Sequence, residues 1–248
     1  MIALTMMAAL IVLGCWQTQR LHWKENLIAE MRARIQEPAV DVGLSSIPPE
    51  DVPNMDYHPG RASGLLQNDK PLYLNATSVG TGDGGYDVLV PLLLDDGRLL
   101  LVNRGWMPYA LKDKPQNDNP EQSLYRPAGP VQITGILRLT PAKKPWGRPD
   151  NQPGKNDWYW IDLNTMAQAT GAKEFLPYVL EAADAPHDGS WPVGGQTRVT
   201  LPNNHLAYAI TWFSLALILP VIYFVSGWRR DAPKKPDKDE KTDTAKAD

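Results

Sequence analysis

The stretch from Leu206 to Trp228 contains no charged residue, and it constrains the fold of this chain more than any other feature. As an α-helix it would rise about 1.5 Å per residue and extend roughly 34 Å. The hydrocarbon core of a bilayer is about 30 Å thick, so this helix is long enough to cross it, even with Pro220 inside. Arg229 and Arg230 follow at once, which predicts that the C-terminal side is cytoplasmic.

A second apolar run, "MIALTMMAALIVLGCW", opens the chain and would extend only about 24 Å as a helix. Three interpretations compete: a cleaved signal peptide, a lipoprotein signal at Cys15, or a signal anchor that starts a few residues upstream. We favour the anchor, because no basic residue precedes the run and no Ala-x-Ala cleavage site follows it. Good helix formers continue without a break towards Pro38, which predicts one long helix that ends near Gln36.

Composition excludes several classes of protein. The net charge of -3 leaves no basic surface suited to nucleic acid. The single cysteine, Cys15, excludes a disulfide or a cysteine-built metal site within one chain. No nucleophile elbow, phosphate loop, nucleotide-binding glycine pattern or zinc motif is present, and the four histidines are scattered. We therefore expect a protein that is not an enzyme.

The region between the two apolar runs has the pattern of a β-rich domain. Apolar runs at Val88–Leu94 and Leu99–Val102 flank a turn at Asp95–Arg98, which predicts a hairpin. The stretch "RASGLLQNDKPLYLN" predicts a second hairpin around Asn68-Asp69.

Further elements follow along the chain. "VQITGILRLT" is typical of a strand, with a bulge or close approach at Gly135, and "WYWIDL" of a short strand. "NTMAQATG" predicts a helix capped by Asn164 and Gly171. "LPYVLEAA" predicts a returning strand.

These elements predict an α+β membrane protein, in which two transmembrane helices bracket a β-rich extracytoplasmic domain. An antiparallel barrel or sandwich is the natural architecture. The expected organisation is an N-terminal transmembrane helix with an outer extension (1–36), a β-rich periplasmic domain (37–200), a C-terminal transmembrane helix (201–230) and a disordered cytoplasmic tail (231–248).

Two polar and aromatic clusters are candidate binding features. "VNRGW" ends an apolar strand; either Arg104 bonds a carboxylate or loop carbonyl while Trp106 plugs the barrel end, or Arg104 holds a ligand carboxylate. Trp16 and Trp23 lie seven residues apart around Arg20. They form either an interfacial aromatic belt or, with Arg20 and Lys24, a contact for acidic groups of a ligand.

The third candidate lies at the mouth of the C-terminal span. His205, Tyr208, Ala209, Trp212 and Ala216 fall on one stripe of a helix. The two alanines would let another helix or a flat ligand approach closely. His205 is either an interfacial residue bonded to the domain or, as a neutral imidazole, a ligand of haem iron.

At these residues the chain resembles the surfeit locus protein 1 family of cytochrome oxidase assembly factors. The resemblance lies in "LGCWQTQRLHWK", "GRASG", "GYDVLVPLLLDDGRLLLVNRGWMP", "ITGILR" and "LPNNHLAYAITWF", which are distributed over nearly the whole chain. It implies two transmembrane helices around a domain outside the cytoplasm. It also implies a chaperone of respiratory-chain biogenesis that builds the haem a-containing subunit of a haem–copper oxidase.

Several expectations follow from this resemblance. Haem a would be bound transiently, with His205 as the iron ligand. Tyr208, Trp212 and Trp16 would contact the macrocycle, and Arg20, Lys24 or Arg104 would receive its propionates. The partners would be oxidase subunit I and the haem a synthesis machinery, in a bacterial inner membrane. The alternative is a haem-independent membrane scaffold that stabilises oxidase assembly intermediates.

Overall fold

The computed structural model describes residues 2–43, 47–113, 124–183, 191–197 and 202–231. They divide into two compact units. The helical unit comprises Met1–Leu27 and Pro202–Asp248, and the barrel unit comprises Ile28–Leu201. Most of the tail predicted to be disordered lies outside the described residues.

Two long helices form the helical unit. Helix α1, Ile2–Ile35, is the continuous helix expected at the start of the chain, and its last turns belong to the barrel unit. Helix α3, His205–Asp231, continues through Pro220. Among the helices that the structure describes, only the segment His205–Ser226 is long and apolar enough to cross a membrane, with 22 residues and a mean hydropathy of 2.0. One of the two expected spans is thus supported by length and composition.

The barrel unit is built on one sheet of eight described strands. The strands are β1 Val40–Asp41, β2 Pro59–Leu66, β3 Leu72–Thr77, β4 Gly84–Leu94, β5 Leu99–Pro108, β6 Pro130–Leu139, β7 Asp157–Trp158 and β8 Tyr178–Ala182. Five of them close a ring in the order β2-β6-β8-β5-β4, because β2 pairs with β4 as well as with β6. The expected barrel is therefore present.

The barrel is mixed rather than purely antiparallel, which corrects the sequence prediction. Strands β5 and β8 pair in parallel, with Leu101 opposite Val179 and Asn103 opposite Glu181. Parallel neighbours need a long crossover. Here the chain between the two strands includes β6, β7 and a short helix, α2, Leu163–Thr170.

The hairpin predicted around Asn68-Asp69 is wrong, although both of its strands exist. Strands β2 and β3 do not pair with each other; both pair antiparallel with β4, at Gly64–Leu66 and at Leu72–Thr77 respectively. The chain therefore continues in the same direction after the turn. Strand β4 is 11 residues long, so its edge offers enough backbone groups for both segments. The hairpin of β4 and β5 is confirmed, since Leu94 N donates to Arg98 O at 3.0 Å.

Two local predictions also need correction, for one reason: a side chain takes over backbone hydrogen bonding. The strand expected over "WYWIDL" is reduced to Asp157–Trp158. The backbone N–H groups of the following residues, Tyr159 and Trp160, donate instead to the side-chain oxygen of Asn151. The N-cap of α2 is Asp162 rather than Asn164, since its carboxylate accepts from Thr165 N at 3.2 Å. Gly171 caps the other end as predicted, with φ of 70°.

Alternation along the strands builds two apolar layers. Inward residues such as Val90, Val102 and Leu180 fill the barrel. Their outward neighbours Leu89 and Leu101 pack with α2 and with the fully buried Trp158. Burial on both faces explains why β4 and β5 read as continuous apolar runs.

A polar cluster fastens the loop after β5 to β7 at the edge of this sheet. Lys112 Nζ donates to Asp157 Oδ1 at 2.5 Å, and Tyr86 Oη donates to the same oxygen at 2.9 Å. Burial alone would raise the pKa of Asp157, but these hydrogen bonds outweigh it and hold the pKa below its ordinary value. The ionised carboxylate therefore stabilises the fold.

We predict that Lys112→Met lowers the stability of the barrel unit at neutral pH by about 1–3 kcal/mol, because a partly buried carboxylate loses its charged donor. The wild-type contribution is present above the unfolded pKa of about 3.9 and disappears as the pH falls through the lower folded pKa. Lys112→Met should therefore lose less stability on acidification. The measurement is the thermal unfolding midpoint of the full-length protein in detergent between neutral and acidic pH.

The matched control is Lys144→Met, which removes an exposed ion pair to Asp150 of the same 2.5 Å length. Exposed pairs contribute little, so this variant should follow the wild type. Equal losses of stability in Lys112→Met and Lys144→Met would contradict a stabilising role for the partly buried Lys112–Asp157 pair.

Candidate functional site

His205 begins α3 and is held by a side chain of α1. Its Nδ1 lies 2.7 Å from Gln17 Oε1. An amide oxygen only accepts hydrogen bonds, so Nδ1 carries the hydrogen and donates it. In the neutral imidazole this leaves Nε2 with its lone pair free of a proton. The contact therefore selects the tautomer in which Nε2 can bind a metal.

A narrow stripe below His205 is packed inside the helical unit. Ala209 and Ala216, at i+4 and i+11, are only 4% and 8% exposed. Trp212 lies on the same stripe, and its Nε1 is buried without a hydrogen-bond partner among the described residues. Tyr208, which the sequence spacing placed here, is 54% exposed and lies outside the buried stripe.

Helix α1 supplies small and polar residues opposite α3. A Cβ on Gly14 would come within 2.6 Å of the Phe213 ring, so glycine is what lets the two helices approach at this level. Gln17 lies one turn further on and is 9% exposed. Sequence analysis missed Gln17. The sequence signal for Gln17 was its spacing. Gly14, Gln17 and Leu21 lie three and four residues apart, as residues on the inward face of a helix do.

The tryptophans and Arg20 of α1 lie at its exposed surface. Trp16 and Trp23 are exposed. The guanidinium carbon of Arg20 lies 3.7 Å from the centroid of the Trp23 ring, which is a cation–π contact. Lys24 is half-buried. This arrangement agrees with an interfacial aromatic belt, and it leaves the donors of Arg20 at the helix surface.

Arg104 belongs to the barrel unit. Its Nη1 donates to Tyr125 O at 2.7 Å, and burial lowers the pKa of the Arg104 guanidinium. The sequence left two roles for Arg104: a bond within the domain, or a contact with a ligand carboxylate. The structure contains the first, as a bond to a loop carbonyl.

The other residues of "NRGW" fasten a returning segment of chain to β5. Asn103 Oδ1 accepts from Gly105 N at 3.0 Å, while Asn103 Nδ2 donates to Asp87 Oδ2 at 3.1 Å. Trp106 exchanges two backbone hydrogen bonds with Val193, each 2.9 Å long. Its ring packs edge-on against a second tryptophan, Trp191, at 5.7 Å. The buried Trp106 thus has a structural role.

Gly105 makes that attachment possible. Its φ is +123°, and a Cβ there would lie 2.0 Å from Val193 O. Both the backbone conformation and the close approach of the neighbouring chain therefore require glycine.

In the described part of the chain, the groups that could bind a metal are single side chains and not clusters. No cluster of three or more histidine, cysteine or acidic side chains is placed to hold a metal ion there. His205 instead offers one oriented nitrogen lone pair, and two helical turns further on the indole N–H of Trp212 lacks a partner among the described residues. Such a site suits a ligand whose metal is already held by other atoms, with the protein adding one axial bond.

The fold and this site together define a class: a membrane-associated protein that carries a mixed β-barrel domain and a pair of long helices with an oriented histidine. Comparison with known proteins specifies the family. A sequence model of the SURF1 family matches residues 4–217. The chain therefore belongs to the SURF1 family.

Individual relatives agree. The chain is 34% identical to surfeit locus protein 1 of Mus musculus over 232 residues, which is 88% of this chain and 72% of the relative. It is 34% identical to surfeit locus protein 1 of Homo sapiens, over 86% of this chain and 72% of the relative. It is 32% identical to a SURF1-like protein of Drosophila melanogaster, over 86% of this chain and 72% of the relative. The resemblance deduced from the motifs is confirmed.

We predict that Gly105→Ala destabilises the barrel unit by more than about 3 kcal/mol, because it combines an unfavourable φ with a collision against backbone. Gly97→Ala is the matched control: its φ is +86°, but nothing lies within 4 Å of the added Cβ. This control should cost only about 1 kcal/mol. Denaturant unfolding of the full-length protein measures both, and equal losses would show that the contact with Val193 is unimportant.

A second prediction concerns the tautomer of His205. Gln17→Leu removes the acceptor, so the imidazole should no longer be held with its hydrogen on Nδ1. Nitrogen NMR of ¹⁵N-histidine-labelled protein distinguishes the tautomers, and the four histidines allow assignment by single substitution. Gln17→Glu retains an acceptor oxygen and should preserve the Nδ1–H form. An unchanged His205 spectrum in Gln17→Leu would contradict the assignment.

Proposed function

We propose that this SURF1-family protein is an assembly factor for haem–copper (cytochrome c) oxidase, which binds haem a and assists its insertion into subunit I. The observation that carries the proposal is the 2.7 Å contact between His205 Nδ1 and Gln17 Oε1. Metal-binding histidines commonly donate their second ring N–H to an oxygen, which fixes the ring and makes the other nitrogen a better ligand.

The residues present fit a haem. Haem iron is held by its macrocycle and needs one or two axial ligands from the protein. His205 offers one, and the proposal assigns it that bond. When bound, the haem would supply an iron centre that takes a nitrogen ligand from His205 and an apolar ring that favours burial.

Other residues of the helical unit would position the ring. Trp212 has a buried Nε1 donor that lacks a partner among the described residues. Trp16 and Tyr208 are exposed aromatic side chains, and we assign them to contacts with the macrocycle. Arg20, together with Lys24, would receive the propionates, because guanidinium and ammonium groups bind carboxylates well.

We also propose that α1 crosses the membrane beside α3, so that the protein is multi-pass. The two helices run side by side in opposite directions: Gln17 meets His205, while the start of α1 and Leu219–Phe224 enclose one apolar pocket of about 570 Å³. If α3 spans the bilayer, α1 therefore lies at the same depth. Arg229 and Arg230 support a cytoplasmic C-terminus in a bacterial inner membrane. The barrel unit would then be periplasmic.

In this proposal the protein is not an enzyme. It would receive haem a from the synthesis machinery and deliver it to oxidase subunit I. Delivery requires release, and a single bond from one histidine would provide moderate rather than irreversible affinity. The proposal therefore does not need a reacting group.

The test is the haem a content of full-length protein purified from cells that make haem a. We predict that His205→Ala loses most of the bound haem a, because the axial ligand is removed. Gln17→Leu should weaken retention on the order of tenfold, as expected when an outer partner of a metal ligand is lost. The control is His22→Ala, since His22 is exposed and lies beside Glu25 at 3.4 Å; its haem content should equal that of the wild type.

Two results would contradict the proposal. An unchanged haem a content and absorption spectrum in His205→Ala would remove His205 from the site. Wild-type protein that retains oxidase subunits but never carries haem a would favour the scaffold alternative.

A further inference from the structure

The loop between β6 and β7 carries a fully exposed tryptophan. Trp146 is 100% exposed. It sits in a tight turn, in which Arg148 N donates to Pro145 O at 3.2 Å and Gly147 has φ of +77°. Pro145 fixes its own φ before the side chain, and Gly147 adopts the left-handed conformation that completes the turn. The turn presents the indole outward.

The same loop is basic within an acidic chain. Lys143, Lys144 and Arg148 lie within five residues of one another, whereas the whole chain has a net charge of -3. Lys144 pairs with Asp150 at 2.5 Å. Lys143 and Arg148 are exposed. A fully exposed indole thus stands between two exposed cationic side chains.

An isolated tryptophan of this kind fits a lipid surface better than a protein surface. Specific protein interfaces bury about 1,600 Å² around a central apolar cluster. The neighbours of Trp146, from Pro141 to Asp150, include no other large apolar side chain. Indole rings favour the headgroup level of a bilayer, and adjacent Lys and Arg bind anionic lipids. The chain itself carries a helix able to cross a membrane.

We propose that the loop 141–150 is a membrane-surface anchor: Trp146 enters the interfacial region of the bilayer, and Lys143 and Arg148 bind anionic phospholipid headgroups. Each basic residue near an anionic surface strengthens such contact about fivefold. The anchor does not involve haem, so it stands or falls separately from the proposed function.

The experiment uses the full-length protein in nanodiscs, with lipid chains that are either unmodified or brominated, since bromine quenches indole fluorescence on contact. The chain has nine tryptophans, so the emission of Trp146 is taken as the difference between wild type and Trp146→Phe. Discs of neutral phosphatidylcholine are compared with discs that also contain anionic phosphatidylglycerol. The matched control is the difference signal of the fully buried Trp158, from Trp158→Phe.

We expect brominated lipid to quench the Trp146 signal in anionic discs and to leave the Trp158 signal unchanged. Quenching should fall several-fold in neutral discs, and likewise in the double variant Lys143→Gln, Arg148→Gln. Added inorganic phosphate should not reproduce the effect of anionic lipid. Thermal unfolding of each variant establishes that it is folded.

Three results would overturn the proposal. Absence of quenching in anionic discs excludes insertion of Trp146. Equal quenching in neutral and anionic discs excludes the headgroup contacts of Lys143 and Arg148. Absence of quenching combined with loss of co-purified oxidase subunits in Trp146→Ala would assign the loop to a protein partner instead.

Discussion

Closure of the barrel at β2 is the constraint on which the rest of the larger unit depends. Gly64 pairs with Leu94 of β4 and with Val131 of β6, and a Cβ at this position would lie 2.2 Å from Leu93 O. Glycine therefore allows one strand to join both edges of the sheet. Without that closure, the inward residues of β4 and β5 would face water. The ring also holds β5 in place, and β5 in turn holds the segment at Val193 that precedes α3.

Features that depend on neighbouring residues were predictable from the sequence. The turn between β4 and β5 follows from Gly97, and the end of α2 follows from Gly171. Features that depend on competition between distant segments for the same partner were not predictable from the sequence. The segments on either side of Asn68 each have the pattern of one strand of a hairpin, but both pair with β4 instead of with each other. The parallel pairing of β5 with β8 was equally hidden, because alternation of apolar residues does not encode strand direction. The close approach expected at Gly135 is confirmed, since a Cβ there would lie 2.0 Å from Glu181 O.

The candidate site shows the same division. His205 could be found because an ionisable residue at the end of an uncharged helix is unusual. Its partner, Gln17, is separated from it by 188 positions, and a single glutamine in a helix gives no sign of what it faces. Only the packing of α1 against α3, through Gly14 and Phe213, brings the amide to the imidazole. The oriented tautomer is therefore a property of the helix pair and not of either segment alone.

The motif "NRGW" and the histidine stripe carry different kinds of information. Asn103, Gly105 and Trp106 make contacts within the barrel unit, although the buried indole Nε1 of Trp106 lacks a hydrogen-bond partner among the described residues. Arg104 bonds a carbonyl of the same unit. His205 and Trp212 retain groups that their own unit leaves unused: a free ring nitrogen and a buried N–H without a described partner. Unused polar groups at partly buried positions are costly unless a ligand satisfies them. Because Trp106 of the barrel also has an unpartnered indole N–H, the oriented imidazole of His205 is what favours ligand binding in the helical unit over the most recognisable motif of the barrel.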